Sequence, residues 1–592
     1  MRTMKMLYSE LADVFERLDA TGSRIEMTSI LSEFFRTLDP ESLRSTVYLS
    51  QGKLHPDYFP QEFGMADKLV LRAVSMASAK PYGEVEKLWI KEGDPGTVAA
   101  LLIKGRGQMT LFSEPLTLER VVKGLTAIES TDGRDSQDRK MKQLFLLLRE
   151  SGPAESKYLC RIVTGRMRVG AGAMTLLDAL SEAFASREDR PEVERAYNIT
   201  CDIGLVAETV ASGGIDAIKN MHVSVGSPIK VMLAERLPSI PLIMEKMGGK
   251  CAMEFKYDGI RLQAHISKDS VRLYSRRLED LTSNFPDVAS ELRARCKAEE
   301  AIIEGECVAV DPSTGAMLPF QTVTHRRKKH GMEKAVEDYP VRMFMFDILF
   351  IDGADMTTYP FADRRDRLAR AFETSEKIGL TEMEVIESPE DGEAFFARAL
   401  AAKSEGVMAK SLYQESVYRA GSRGFLWIKY KKDYEAALTD SFDLAVVGAF
   451  HGMGKRAGKY GALLMAVFDP ETGKYGTVCK LGTGFDDAFL DGLPDMMSGH
   501  LSKGRPADVD AQMVPDIWFR PAVVLEVVAA EISQSPIHTA AFGIVKEGAG
   551  LGLRFPRFTG RIRTDKGPDQ CTAAAELAEM YWAQEATDGP DP

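Results

Sequence analysis

The spacing at which apolar residues recur changes along this chain, and that change most constrains its fold. Up to about residue 220 they follow helical spacing: Leu11, Val14, Phe15 and Leu18, then Met27, Ile30, Leu31, Phe34, Phe35 and Leu38 after the Thr21-Gly22-Ser23 break. The runs LFLLLRE and MTLLDALSEAF continue the pattern, which predicts an all-α N-terminal domain of repeated helices. From Lys250 short strand-like runs take over: AMEFKYD, RLQAHIS, SVRLYSR, AIIEGECVAV, VRMFMFDILFI and GVMAKSL. Turn residues and a few helices separate them, predicting an α+β domain around antiparallel sheets. Near Ser441 a third texture begins with FDLAVVGAF, ALLMAVFD, TVCKLGTGF and AVVLEVVAAEI, joined by glycine-rich links such as HGMGKRAGKYG. Short strands with glycine corners suit a small closed β-barrel of the OB-fold kind. A chain of 592 residues exceeds what one core supports, and the expected boundaries are 1–222, 223–435 and 436–592. The tail ATDGPDP reads as disordered.

No stretch approaches about eighteen consecutive apolar residues, so no membrane span is expected. MRTMKMLYSELADVFERL turns charged and amphipathic at once, which reads as mature sequence of a cytoplasmic protein. Seven cysteines stand singly without a Cys-x-x-Cys pair, arguing for reduced thiols and against a zinc site. The net charge of -12 counts against a nucleic-acid partner unless cations are locally concentrated. Basic runs exist at His325-Arg326-Arg327-Lys328-Lys329-His330 and Lys429-Tyr430-Lys431-Lys432. Taken alone, such runs are usually solvated loops.

Lys256-Tyr257-Asp258-Gly259-Ile260-Arg261, preceded by Glu254, sets a nucleophile beside a tight turn and a cation. By itself an Asp-Gly pair is a common hairpin turn. A lysine attacking an α-phosphate near neutrality must lose roughly three pKa units, about 4 kcal/mol of bias against the ammonium. Desolvation and the cations Arg261, Arg276, Lys410, Lys429 and Lys431 could supply that bias. Bound phosphates oppose it unless Mg²⁺ offsets their charge, so metal binding and lysine activation should be coupled.

The remaining motifs appear in order: LYSRR at 273–277, EGE at 304–306, FMFDILF at 344–350, EGVMAK at 405–410, WIKYKKD at 427–433 and RFPRF at 554–558. With EFKYDGIR at 254–261, they make nearly the whole chain resemble the archaeal type of ATP-dependent DNA ligase, within the lysine-nucleotidyltransferase superfamily. One departure is Val231, where the family commonly has proline. The resemblance implies nick sealing in replication, repair and recombination, with the middle domain an adenylation domain. It makes Lys256 the residue that carries AMP, with ATP as donor and Mg²⁺, or alternatively Mn²⁺, as metal.

By the same resemblance Glu254 contacts adenine and Phe346 stacks on it, while Arg261, Arg276 and Arg423 contact ribose or phosphate. Glu306 touches ribose or metal, Glu405 ligates metal, and Lys429 meets the α-phosphate. Lys410 and Lys431 are further phosphate contacts, and Arg554 and Arg557 orient the departing pyrophosphate, which requires the barrel to move between steps. Planar rings for stacking and carboxylate oxygens for metal are also what the chemistry itself demands.

Gly165-Arg166-Met167-Arg168-Val169-Gly170-Ala171-Gly172 precedes a helix whose free amides can meet a phosphate, and it resembles the family's DNA-contacting turn. Arg326 and Arg327 are expected to track a DNA backbone. Gln108, Leu111 and Phe112 resemble a sliding-clamp peptide, although a buried strand or helix end explains that stretch equally well. The expected partners are nicked duplex DNA and a clamp, with the protein a monomer. The rival readings are an RNA ligase or capping-type nucleotidyltransferase, and a noncatalytic DNA-binding, clamp-tethered scaffold. A capping enzyme has no need of the long helical domain, and a scaffold has none of Lys256, Glu405 and Lys429.

Overall fold

The computed structural model describes residues 6–60, 62–104, 115–327, 332–431, 441–453, 456 and 458–587. Two compact units form: Met1–Val70 with Gln108–Lys432, and Leu71–Gly107 with Asp433–Pro592. Among the described residues from Tyr8 to Lys219 the main elements are helices, as the 3.6-residue spacing requires. Their starts carry readable caps. Ser23 accepts from the Glu26 amide, Asp39 from those of Glu41 and Ser42, and Asp202 from that of Leu205. No helix among the described residues is long and apolar enough to cross a membrane.

Among the described residues of the first unit eleven strands follow: β1 (Leu233–Arg236), β2 (Cys251–Lys256), β3 (Ile260–Ile266), β4 (Val271–Ser275), β5 (Ala301–Ala309), β6 (Val341–Ile351), β7 (Ala354–Asp355), β8 (Ile378–Leu380), β9 (Met383–Ile386), β10 (Gly406–Ser411) and β11 (Arg423–Lys431). They make two sheets, one ordered β1-β11-β10-β2-β9 and one ordered β4-β3-β5-β6-β7 with β8 beside β6. Leu262, Ala264, Ile303, Met343 and Met345 fill the core on the second sheet, and Ile243, Met253, Val407 and Ile428 that on the first. The sheets are not purely antiparallel as expected, since β1 pairs parallel with β11 and β8 parallel with β6. Both pairings join strands linked by long connections, the β6–β8 link containing the helix Phe361–Ala371.

The second unit holds β12 (Phe442–His451), β13 (Tyr460–Asp469), β14 (Lys474–Leu481), β15 (Leu501–Ser502), β16 (Val509–Asp510), β17 (Ile517–Phe519), β18 (Val524–Val528), β19 (Glu531–Ser535), β20 (Gly550–Arg554) and β21 (Arg557–Ile562). Its larger sheet runs β15-β17-β12-β13-β14-β16, with β18 bridging β12 to β21, while β19 and β20 form a hairpin. Phe442, Val446, Leu463, Val478 and Leu525 are among its core residues. The region is sheet-rich, and its main ladder does not return on itself among the described residues.

Candidate functional site

A cavity of about 520 Å³ in the first unit gathers side chains that lie far apart in sequence. Strand β2 brings Glu254 and Lys256, two residues apart and therefore on one face. Register continues the row, with Lys256 opposite Gly406 and Gly406 opposite Lys431. A Cβ at Gly406 would run into the β11 backbone, so the glycine lets the strands close up between the two lysines. The turn after β2 depends on Gly259 in the same way, because a Cβ there would strike the Cys307 carbonyl of β5. Gly305 in the EGE motif lies against β6, where a Cβ would sit 2.8 Å from the Phe344 carbonyl oxygen.

Lys256 Nζ donates to Glu405 Oε2, and Lys431 Nζ donates to Glu405 Oε1 at 2.6 Å. Burial alone would raise the Glu405 carboxyl, but the two ammonium groups hold it below the ordinary range. Lys429 is lowered by burial and then by Lys256, Lys431 and Arg423. Burial pushes the Glu306 carboxyl up to about 7, against the pull of Lys256 and Arg261. The cation cluster expected from sequence is present, yet the immediate partner of Lys256 is a carboxylate.

Phe346 lines the cavity from the face of β6 opposite Met343 and Met345, at a bulge in its pairing with β5. Glu304 pairs with Asp347 and Gly305 with Met345, leaving Phe346 as the extra residue. The ring packs at the edge of a core cluster that includes Ile302, Tyr418 and Trp427, so it serves the core and the cavity wall together. Trp427 stands edge-on to it at 6.2 Å. Trp427 also lines the cavity, together with Leu233 and Ala234, and none of these three was singled out from sequence. Pairing Leu233 with Arg423 across β1 and β11 puts them there, a contact no local pattern encodes.

Arg261, Arg276, Glu306, Arg423 and Lys429 also border the cavity. Lys410 does too, but not as a phosphate-facing lysine. It is 1% exposed, bonded to Glu254 at 2.7 Å and to the Phe346 carbonyl at 3.2 Å, with Trp427 4.5 Å away. The other Glu254 oxygen, Oε1, is buried without a hydrogen-bond partner. Among the described residues, no group of three or more His, Cys, Asp and Glu side chains is arranged to hold a metal.

Away from the cavity, Arg326 corrects the expectation of a DNA contact. It is fully buried, with its guanidinium bonded to both Asp287 oxygens at 2.7 and 3.1 Å and to the carbonyls of Val336 and Tyr339. A guanidinium committed this way ties the 3-10 turn His325–Arg327 to the helix Pro286–Arg295 instead of facing solvent. Arg327 is half-exposed, pairs with Glu279 at 2.5 Å and lies at the cavity wall. In the helical region Arg168 has a positive φ of 56°, Gly170 one of 72°, and Gly172 is the N-cap of the helix Ala173–Phe184. Arg166 reaches Asp67 at 3.0 Å. In the second unit Arg554 pairs with Glu531 at the end of β20, and exposed Arg557 begins β21. Gln108, Leu111 and Phe112 lie outside the described residues.

Three family models match: the DNA ligase N terminus over residues 7–181, the ATP dependent DNA ligase domain over 231–431 and the ATP dependent DNA ligase C terminal region over 456–566. DNA ligase 2 of Thermofilum pendens is 47% identical over 98% of both chains. The DNA ligase of Hyperthermus butylicus is 43% identical, also over 98% of both. A solved structure described as Pmar-Lig_PreS3 shares the fold at a TM-score of 0.50 and 16% identity, over 93% of this chain and 99% of that one. The cavity around Lys256 falls in the region matched by the second of the three models, and the chain belongs to the ATP-dependent DNA ligases, enzymes that seal nicks in DNA.

Proposed function

We propose that Lys256 is the AMP carrier of this ligase. Its Nζ attacks the α-phosphorus of ATP, a P–N bond forms, pyrophosphate leaves and the amine proton is released. A 5′-phosphate oxygen at the nick then takes AMP from the lysine. Finally the 3′-hydroxyl attacks that phosphate and AMP departs as the strands join. The observation that carries this reading is the position of Lys256 on a cavity wall shared with the Phe346 ring and the cations Arg261, Arg276 and Lys429. Phe346 would stack on adenine, and Glu254 Oε1, which has no hydrogen bond and only a 3.8 Å ion-pair contact with Arg365, would accept from its amine. Arg261, Arg276, Arg423 and Lys429 would take ribose and phosphates.

Glu405 and Glu306 supply carboxylate oxygens, a donor set that suits Mg²⁺, which takes one or two carboxylates plus substrate phosphates; Mn²⁺ is the alternative. Such a cation offsets phosphate charge, and Glu405 would hold it. Glu405 occupies the Lys256 ammonium through a hydrogen bond, so an Nζ free to attack requires that carboxylate to be engaged elsewhere.

We assign residues 1–222 to DNA binding through Arg166, Arg168, Gly170 and Gly172, 223–435 to adenylation, and 436–592 to an OB-fold. The β12-β13-β14 meander, with β18 returning to β12, supports the last assignment. Arg554 and Arg557 would orient pyrophosphate. A monomer in the cytoplasm, binding a sliding clamp through Gln108, Leu111 and Phe112, completes the reading. The test is incubation with α-labelled ATP, GTP or NAD and Mg²⁺, followed by nicked DNA or RNA duplex. Label on Lys256 from ATP and chase into sealed DNA is expected, whereas no label from ATP overturns the assignment. Sealing of RNA alone would favour an RNA ligase.

A further inference from the structure

Arg261, Glu304, Tyr418 and Met232 close a ring of hydrogen bonds behind the nucleotide cavity. Arg261 Nη2 donates to Glu304 Oε2 at 2.7 Å, and Nη1 donates to the Met232 carbonyl at 3.0 Å. The Tyr418 hydroxyl donates to the same Glu304 oxygen at 2.9 Å and accepts the Met232 N–H at 2.9 Å. Glu304 is fully buried and Tyr418 is 4% exposed, so the two bonds of the Tyr418 hydroxyl are shielded from bulk water. Both terminal nitrogens of Arg261 are thereby engaged, while its Nε is buried with no hydrogen-bond partner. The guanidinium carbon lies 5.3 Å from the Phe346 ring centre and 5.5 Å from that of Trp427, which both face the cavity.

The ring joins three stretches of chain. Met232 belongs to the lead-in to β1, Glu304 to β5, and Tyr418 to the loop that runs into β11 and Arg423. Gln263 extends it, bonding the second Glu304 oxygen at 3.4 Å and clamping Ile229 through both its N–H and its carbonyl. The Tyr418 amide itself donates to the Thr357 carbonyl, fixing the loop from its other side.

We infer that Tyr418 and Glu304 are positioning residues for nucleotide use, holding Arg261 in one orientation at the cavity and coupling it to the lead-in of β1 and to the Arg423 loop. This rests on the reading that the cavity takes ATP. A guanidinium held in place loses little freedom when a ligand arrives, whereas a loosened one must be ordered by the ligand at the expense of affinity. Removing the hydroxyl alone leaves the Met232 N–H buried without an acceptor and takes one of its donors from Glu304 Oε2.

The experiment uses the full-length protein and measures lysine adenylation with α-labelled ATP and Mg²⁺, after titrating the active fraction. For Tyr418→Phe the expected result is a KM for ATP about tenfold higher with kcat within about twofold of wild type. Glu304→Gln should raise KM similarly, and the double variant should cost less than the product of the single effects, since both act through Arg261. A wild-type protein that takes no label overturns the reading of the cavity. A wild type that labels, beside a Tyr418→Phe variant with unchanged KM, overturns the positioning role, whatever happens to kcat or melting temperature. If Tyr418→Phe does not fold, the KM of Glu304→Gln decides by the same criterion.

Discussion

Lys256 and Glu405 meet twice: the ammonium bonds the carboxylate, and the Glu405 amide donates to the Lys256 carbonyl at 2.9 Å. Because Gly406 faces Lys256 across β2 and β10, the residue just before β10 is carried to the nucleophile by strand register. Lys431 holds the other carboxylate oxygen, so one acidic residue serves two lysines.

Glu405→Ala removes that shared partner and the proposed metal ligand together. The Mg²⁺ concentration for half-maximal lysine adenylation should rise at least about tenfold, followed as transfer of label from α-labelled ATP. An unchanged Mg²⁺ requirement would remove Glu405 from the metal site.

Gly259→Ala introduces a methyl against the Cys307 carbonyl, which belongs to a strand and has little room to retreat. Displacing the turn should cost about 1–3 kcal/mol in urea unfolding and slow lysine adenylation more than about tenfold. Wild-type labelling by this variant would show that the turn tolerates the shift.

His265 lies inside the second sheet at 2% exposure, and burial, with Arg272 adding to it, drops its value to about 3. The native imidazole therefore stays neutral while the unfolded chain gains a proton below about pH 6.5, so stability falls as pH drops from 6.5 toward 3. Near pH 5 this single group should account for about 2 kcal/mol of lost stability relative to neutrality. Urea unfolding at several pH values should show a shallower acid slope for His265→Gln, and equal slopes would contradict the assignment.

Arg326→Ala strands the Asp287 carboxylate that its guanidinium grips. The expected loss is about 3–5 kcal/mol of stability, with no change in the salt dependence of DNA binding by the protein that remains folded. A shallower salt slope would restore this arginine to the DNA surface.

Several features were legible before any tertiary contact was known. EFKYDGIR and VRMFMFDILFI became β2–β3 and β6, and FDLAVVGAF became most of β12, because their β-rich runs needed only a sheet to join. The site residues Glu254, Arg261, Glu306 and Phe346 do share one cavity. Arg326 was misread because a basic run looks solvated until a facing aspartate and two carbonyls are supplied by other elements. Tyr418 was passed over because nothing in its own neighbourhood announces that its hydroxyl closes a ring with residues 114 and 186 positions away.

Periodicity and residue type thus determined the sequence of elements and the set of side chains able to handle a nucleotide, since both are written in spacings of a few residues. Only the tertiary structure decided that Lys256 rests on Glu405, that Phe346 joins a core cluster to the cavity wall, and that Arg261 is held by Glu304 and Tyr418. Those outcomes depend on strand register and on burial, and both are fixed only when distant segments pack.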